Sequence, residues 1–179
     1  MQNHVFILPG LNNSGPQHWQ THWEEKYGFI RINQSDWDTP VREDWINTID
    51  ETISKYPLDK VILIGHSLAC SATVFWFEKF RRKIKGALLV GPSDTEAPSY
   101  PPGTTGFKPM PLTKLEFPSI VIASSNDDYV TLDRAKFFAG CWGSELINAG
   151  PVGHINSSSN LGSWEGGYEV LKKLMSDRS

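Results

Sequence analysis

The stretch Ile62-Leu63-Ile64-Gly65-His66-Ser67-Leu68-Ala69 limits the fold of this chain more than any other. A β-branched apolar run ends in Gly-His-Ser, and a helix-compatible segment, Ala69 to Arg82, follows at once. A strand that passes into a helix through so few residues must turn sharply, and the serine stands at the tip of that turn. Crowding there demands small neighbours, and Gly65 and Ala69 supply them. Ala69 takes the last position of the G-x-S-x-G pattern, where glycine is usual. An ordinary strand-to-helix turn, with Ser67 as a helix cap, uses the same residue types. The two readings part on whether Ser67 has partners.

A serine hydroxyl is a weak nucleophile until a base takes its proton, and the base needs a carboxylate to orient it. Both candidates follow, in the order Ser, Asp, His. Ser119 to Ser125 reads as a buried strand that leaves into Asn126-Asp127-Asp128, and Ser144 to Asn148 as a short strand followed by Ala149-Gly150-Pro151-Val152-Gly153-His154. Each candidate lies just past the C-terminal end of a strand, the edge at which open α/β sheets bind ligands. Asp127 and Asp128 compete for the acid, and capping of the helix at Thr131 is the structural role open to Asp128.

Three segments carry a family resemblance: Leu8-Pro9-Gly10-Leu11-Asn12-Asn13-Ser14-Gly15-Pro16-Gln17-His18-Trp19, the Gly65-His66-Ser67-Leu68-Ala69-Cys70 turn, and Ser124 to Val130 with Gly153-His154. In these the chain resembles the small single-domain serine hydrolases related to the retinoblastoma-binding-protein hydrolase and its bacterial homologues, within the α/β-hydrolase superfamily. The resemblance implies Ser67 as nucleophile, His154 as base and Asp127, three residues before Val130, as the acid. It implies hydrolysis of ester or amide substrates through an acyl-enzyme, with small carboxylic esters the leading class. The family name also records a protein partner. A binding module that kept the hydrolase fold with vestigial catalysis is therefore the rival reading.

Candidate strands are Val5–Leu8, Phe29–Asn33, Val61–Ile64, Ala87–Val90, Ile120–Ala123 and Glu145–Ile147, with helical patterns between them. Helices are expected from Pro16, after the Thr39-Pro40 cap, from Thr131 to a stop at Gly140, and from Ser163. Alternating strands and helices predict a mainly parallel sheet with helices on both faces. Continuous apolar runs fit strands buried on both sides. Placed in the α/β-hydrolase arrangement, the six strands lie in the order 2-1-3-4-5-6, without a separate lid domain. The winding reverses between strands 1 and 3, whose outgoing loops carry Gly10-Leu11-Asn12 and His66-Ser67-Leu68. Backbone N–H groups of Leu68 and Leu11 are expected to form an oxyanion hole, with Asn12 second to Leu11.

At 179 residues and 39% hydrophobic content, one domain spanning 1–179 is expected. A net charge of −3 leaves no basic footprint for nucleic acid, and no apolar run approaches a membrane span. No secretory signal is read at the N-terminus, and Cys70 and Cys141 make no disulfide framework, so a reducing cytoplasm is the expected compartment. His18 and His22 share a helix face at i, i+4, but no third ligand is evident; neither a metal nor a cofactor is expected. Trp19 and Trp23 are read as core. The segment Pro92–Pro118 holds seven of the twelve prolines and leaves a strand on the catalytic edge. It is expected to cover the substrate pocket and to have no core role. Tyr100 and Phe107 within it, with Asn12, are the candidate substrate contacts, and Tyr100, Phe107 and Met110 hint at an apolar substrate group.

Overall fold

The six expected strands form a single sheet in the order β2-β1-β3-β4-β5-β6 in a computed structural model that describes residues 2–176. They are β1 (His4–Leu8), β2 (Ile30–Arg31), β3 (Val61–His66), β4 (Gly86–Val90), β5 (Ser119–Ala123) and β6 (Glu145–Asn148). Every pairing is parallel, so the sheet is wholly rather than mainly parallel. β1 and β3 run in register from His4↔Val61 to Leu8↔Gly65, which brings the loops after both strands side by side. Five helices connect and cover the strands: α1 (Trp19–Tyr27), α2 (Arg42–Ile53), α3 (Leu68–Phe80), α4 (Leu132–Trp142) and α5 (Glu165–Met175).

Alternate residues of β1, β3, β4 and β5 enter two separate cores, as the two-residue period of a strand requires. Phe6, Leu63 and Leu89 pack with α2, α3 and α4, around Trp45, Trp76 and Trp142. Val5, Ile7, Ile62 and Ile64 pack with Trp19 and Trp23 of α1 and Leu171 and Leu174 of α5. Both tryptophans of α1 are thus core, as expected. Their indole N–H groups also do positional work: Trp19 donates to Ile155 O at 2.7 Å and Trp23 to Ser163 O at 2.6 Å. These bonds fasten the chain that follows His154.

Several helix boundaries differ from those expected. Pro16 stands in a turn, closed by His18 N–H donating to Gly15 O, and α1 begins only at Trp19. α2 does not start at Thr39-Pro40. Thr105 N–H donates to Pro40 O and Arg42 N–H to Thr105 O, so the Pro40–Val41 segment stays extended. Thr131 caps α4 as read, accepting from Arg134 N–H, but Gly140 lies inside the helix. The helix ends at Gly143, whose φ of +70° suits the left-handed C-cap. α5 opens at Glu165 rather than Ser163, after Trp164.

The Pro92–Pro118 segment contradicts the expectation of no core role. Phe107, Met110, Leu115 and Phe117 are buried in the α2–α3–α4 core. Trp142 Nε1 donates to Pro111 O at 2.7 Å, Leu115 N–H to Trp142 O at 2.9 Å, and Thr95 Oγ1 to Phe107 O at 2.7 Å. Phe107 packs edge-on against Trp45 of α2 and Phe75 of α3, and Phe117 against Phe77 of α3. No helix among the described residues is long and apolar enough to cross a membrane.

Candidate active site

Ser67 stands between β3 and α3 with φ +59° and ψ −122°, a backbone conformation that L-residues avoid. The surroundings leave it little choice. A Cβ on Gly65 would fall 3.0 Å from Ala69 O, so the strand and the first helical turn are in backbone contact. Ser67 N–H donates to Val90 O, tying the turn to the end of β4. Leu68 opens α3, where the first N–H groups have no partner inside the helix. Opposite, Asn12 and Asn13 take left-handed conformations in the loop after β1, one that Asn tolerates. Asn12 N–H is committed to Trp37 O at 2.8 Å, which removes it as an oxyanion donor and leaves Leu11 as the candidate from this loop.

Asp127 and His154 meet across the ends of β5 and β6. His154 Nδ1 lies 2.9 and 2.8 Å from the two oxygens of Asp127, whose side chain is fully buried. His154 Nε2 lies 2.9 Å from Ser67 Oγ. The loops are laced together by their own bonds. Gly153 N–H donates to Asn126 Oδ1, Val152 N–H to Ser124 Oγ and Ser125 N–H to Gly150 O. Asp127 Oδ1 also accepts from Tyr129 N–H at 2.8 Å. Gly91, at the end of β4 with φ +55°, closes the back of the pair: a Cβ there would stand 3.2 Å from His154 O and 3.5 Å from Asp127 Oδ2. Asp128 is exposed, and it does not cap α4, because Thr131 does so itself.

The family described as "Serine hydrolase" matches residues 5–173. The chain belongs to this serine hydrolase family. It is 31% identical to a protein from Pectobacterium atrosepticum described as a YdeN-like hydrolase, with a TM-score of 0.84 over 97% of this chain and 91% of that one. The ydeN product of B. subtilis is 23% identical, with a TM-score of 0.78 over 98% and 100% of the two chains. Est1E from Butyrivibrio proteoclasticus, at 12% identity and a TM-score of 0.71 over 98% and 89%, shares the fold. No curated protein matches.

In this serine hydrolase the nucleophile, base and acid candidates come together, and the cleft beside them holds about 350 Å³. Leu11, Asn12 and Tyr100 line it. Phe107 does not. It is 1% exposed, packed edge-on against Trp45 and Phe75, and is a core residue rather than a substrate contact. Met110 is buried as well, so the hint of an apolar substrate group loses two of its three residues. Among the described residues lining the cleft there is no Lys, Arg, Asp or Glu, while Asn12, Asn13, Asn156, Ser157 and Ser158 are amide or hydroxyl side chains.

His66 Nε2 donates to His154 O at 2.9 Å, which ties the turn before Ser67 to the backbone of His154. Burial, then the neighbouring His18 and His154, holds the His66 imidazole well below its usual range. His18 packs against His66 at 4.7 Å between ring centres, and its Nδ1 accepts from Gln20 N–H. Burial, with Arg31 adding repulsion, lowers His18 to about 3. Among the described residues no group of three or more His, Cys, Asp or Glu is placed to hold a metal ion. Cys70 and Cys141 are both free thiols, and burial pushes the Cys70 thiol up, away from a reactive thiolate.

Sequence reasoning missed four supports. Gln20 is fully buried, donates to Leu8 O and Ile64 O, and accepts from Ser14 Oγ, pinning the ends of β1 and β3 together. Asn126 joins the acid loop to the base loop. Asp94, nearly buried, takes Arg134 at 2.7 Å and so ties the loop after β4 to α4. Ser93 Oγ lies 2.6 Å from Ser67 Oγ. Only Ser93 left a signal, its place in Gly91-Pro92-Ser93 just past a strand on the catalytic edge; the others form no recurrent spacing.

Proposed function

We propose that this cleft hydrolyses small, uncharged carboxylic esters through an acyl-enzyme on Ser67. The unbroken chain from Asp127 through His154 to Ser67 Oγ, with links of 2.8–2.9 Å, carries the reading. Ser67 Oγ attacks the carbonyl carbon as its proton passes to His154 Nε2, and the carbonyl electron pair moves onto oxygen. The oxyanion is received by the N–H groups of Leu68 and Leu11. Collapse breaks the bond to the alcohol oxygen, which takes the proton from His154 Nε2 and leaves. Water then repeats the sequence: its proton goes to His154, its oxygen bonds the acyl carbon, and Ser67 leaves with the proton. Asp127 accepts from Nδ1–H throughout, which fixes the tautomer that leaves Nε2 free as base and stabilises the imidazolium.

The size and neutral polar lining of the cleft favour short acyl groups and alcohols that hydrogen-bond over long aliphatic chains. Est1E, a protein of the same fold, has been seen with ferulic acid bound, a carboxylic acid of the kind that ester hydrolysis releases. The test is a fluorophosphonate label on purified protein, located by mass spectrometry, with p-nitrophenyl acetate and octanoate as substrates. Ser67 is expected to carry the adduct, and Ser67→Ala to lose both labelling and hydrolysis, by up to about 10⁶ in kcat in a comparable enzyme. A folded protein that takes no label would return the balance to a binding module.

A further inference from the structure

Ser93 sits in the loop after β4, 1% exposed, with its Oγ 2.6 Å from Ser67 Oγ. Either hydroxyl could donate in isolation, but the rest of the chain decides the direction. An ionised carboxylate only accepts, so the proton between Asp127 and His154 lies on Nδ1. Nε2 of the neutral ring then has a lone pair, and the bond of 2.9 Å to Ser67 requires Ser67 Oγ–H as donor. A hydroxyl has one proton. With that proton given to His154, Ser67 Oγ meets Ser93 only as an acceptor. The Ser93 hydroxyl must donate.

Resting on the triad reading above, we propose that Ser93 is a further catalytic residue, whose hydroxyl donates to Ser67 Oγ and holds that atom in line with His154 Nε2 for attack. A serine side chain has three staggered positions. One bond given to His154 and one received from Ser93 select a single one. Ser93 keeps its own proton throughout. As Oγ forms its bond to the acyl carbon it becomes an ester oxygen and a poorer acceptor, so the bond from Ser93 slackens, and it tightens again when Ser67 is released. The donor also draws electron density from Oγ, which opposes attack. At 2.6 Å in a buried site the orienting effect dominates, because a misplacement of about 1 Å at a reacting atom can cost about 10²-fold in rate.

The rate at which a fluorophosphonate labels Ser67 reads the nucleophile alone, without deacylation. Ser93→Ala is expected to slow labelling by about 10–100-fold. Its pH midpoint should stay at the wild-type value, because the Asp127–His154 contact is untouched. Ser93→Thr, which keeps the hydroxyl, should label near the wild-type rate. Labelling of Ser93→Ala as fast as wild type, or faster, would overturn the proposal. If Ser93→Ala melts much lower than wild type, Ser93→Thr decides: a folded Thr variant as slow as Ala refutes the role of the hydroxyl. A wild-type protein with no adduct on Ser67 would instead defeat the triad reading itself.

Discussion

Gly10 lies against Ser67 so closely that a Cβ on it would fall 2.7 Å from Ser67 Cβ and 2.8 Å from His66 O. The loop after β1 and the turn after β3 therefore touch backbone to backbone, and no side chain of any size fits between them. The same point would be 3.3 Å from Leu68 N. Gly10→Ala should wedge apart the two loops that carry Leu11 and Leu68, the proposed oxyanion donors. The expected cost is about 1–3 kcal/mol of stability from overpacking and about 10²-fold in kcat. Melting temperature and p-nitrophenyl acetate kinetics check this, and wild-type turnover in a folded Gly10→Ala protein would contradict it.

Asp127 and Asp128 should separate cleanly on amidation. Asp127→Asn keeps the size but lets His154 take the wrong tautomer, which cost about 10⁴ in kcat in the protease precedent. Asp128 is exposed and caps nothing, so Asp128→Asn should change stability by no more than about 0.5 kcal/mol and leave the rate near wild type. The two kcat values decide, and a reversed order would move the acid to Asp128.

Acid should weaken this fold through its buried imidazoles. In the unfolded chain His18 takes a proton at its ordinary value of 6.5, whereas in the folded protein it does so only near 3. Between those values the unfolded state binds more protons, so stability falls as pH drops below 6.5. At pH 5 the loss from His18 is about 2 kcal/mol, and His66, shifted the same way, adds to it. His18→Asn removes the titration and keeps a side-chain oxygen to accept from Gln20 N–H. Urea unfolding at pH 7 and pH 5 should show the difference between them shrinking by about 2 kcal/mol in the variant. An unchanged difference would mean that His18 is protonated in the native state.

The loop after β4 should respond differently at its two ends. Phe107→Ala opens a core cavity and is expected to cost about 3–5 kcal/mol, with the ratio of acetate to octanoate turnover unchanged. Tyr100 is partly exposed on the cleft wall, so Tyr100→Ala should alter KM and that ratio with a smaller loss of stability. A changed substrate ratio in Phe107→Ala would put that ring back in the cleft.

The strands and the three candidate side chains were legible because each leaves a local mark, whereas the strand order was read from the family resemblance. Ile62 to Ile64 and Ile120 to Ala123 are apolar runs that fit doubly covered strands, Ser67 and Asp127 each follow such a run at a turn, and His154 follows the short strand Glu145–Asn148. That pattern depends on chain direction and spacing, both written in the sequence. The elbow glycine was legible for the same reason, since its crowding is between neighbours in the chain.

What the tertiary structure alone decided involves groups far apart in sequence. Phe107 was read as facing substrate because an aromatic in a proline-rich loop has no period to show which way it points, and packing against Trp45 and Phe75 turned it inward. Pro40 could have opened a helix, but Thr105 took its carbonyl and kept the chain extended. Gln20 bridging Leu8 and Ile64, Gly10 against Ser67, and Ser93 beside Ser67 arise only when β1, β3 and β4 lie side by side. Local pattern determines which elements form and where they end in chemistry. Contact between their ends determines which backbone carbonyl, methyl or hydroxyl each reacting atom meets, and those contacts leave no trace in spacing.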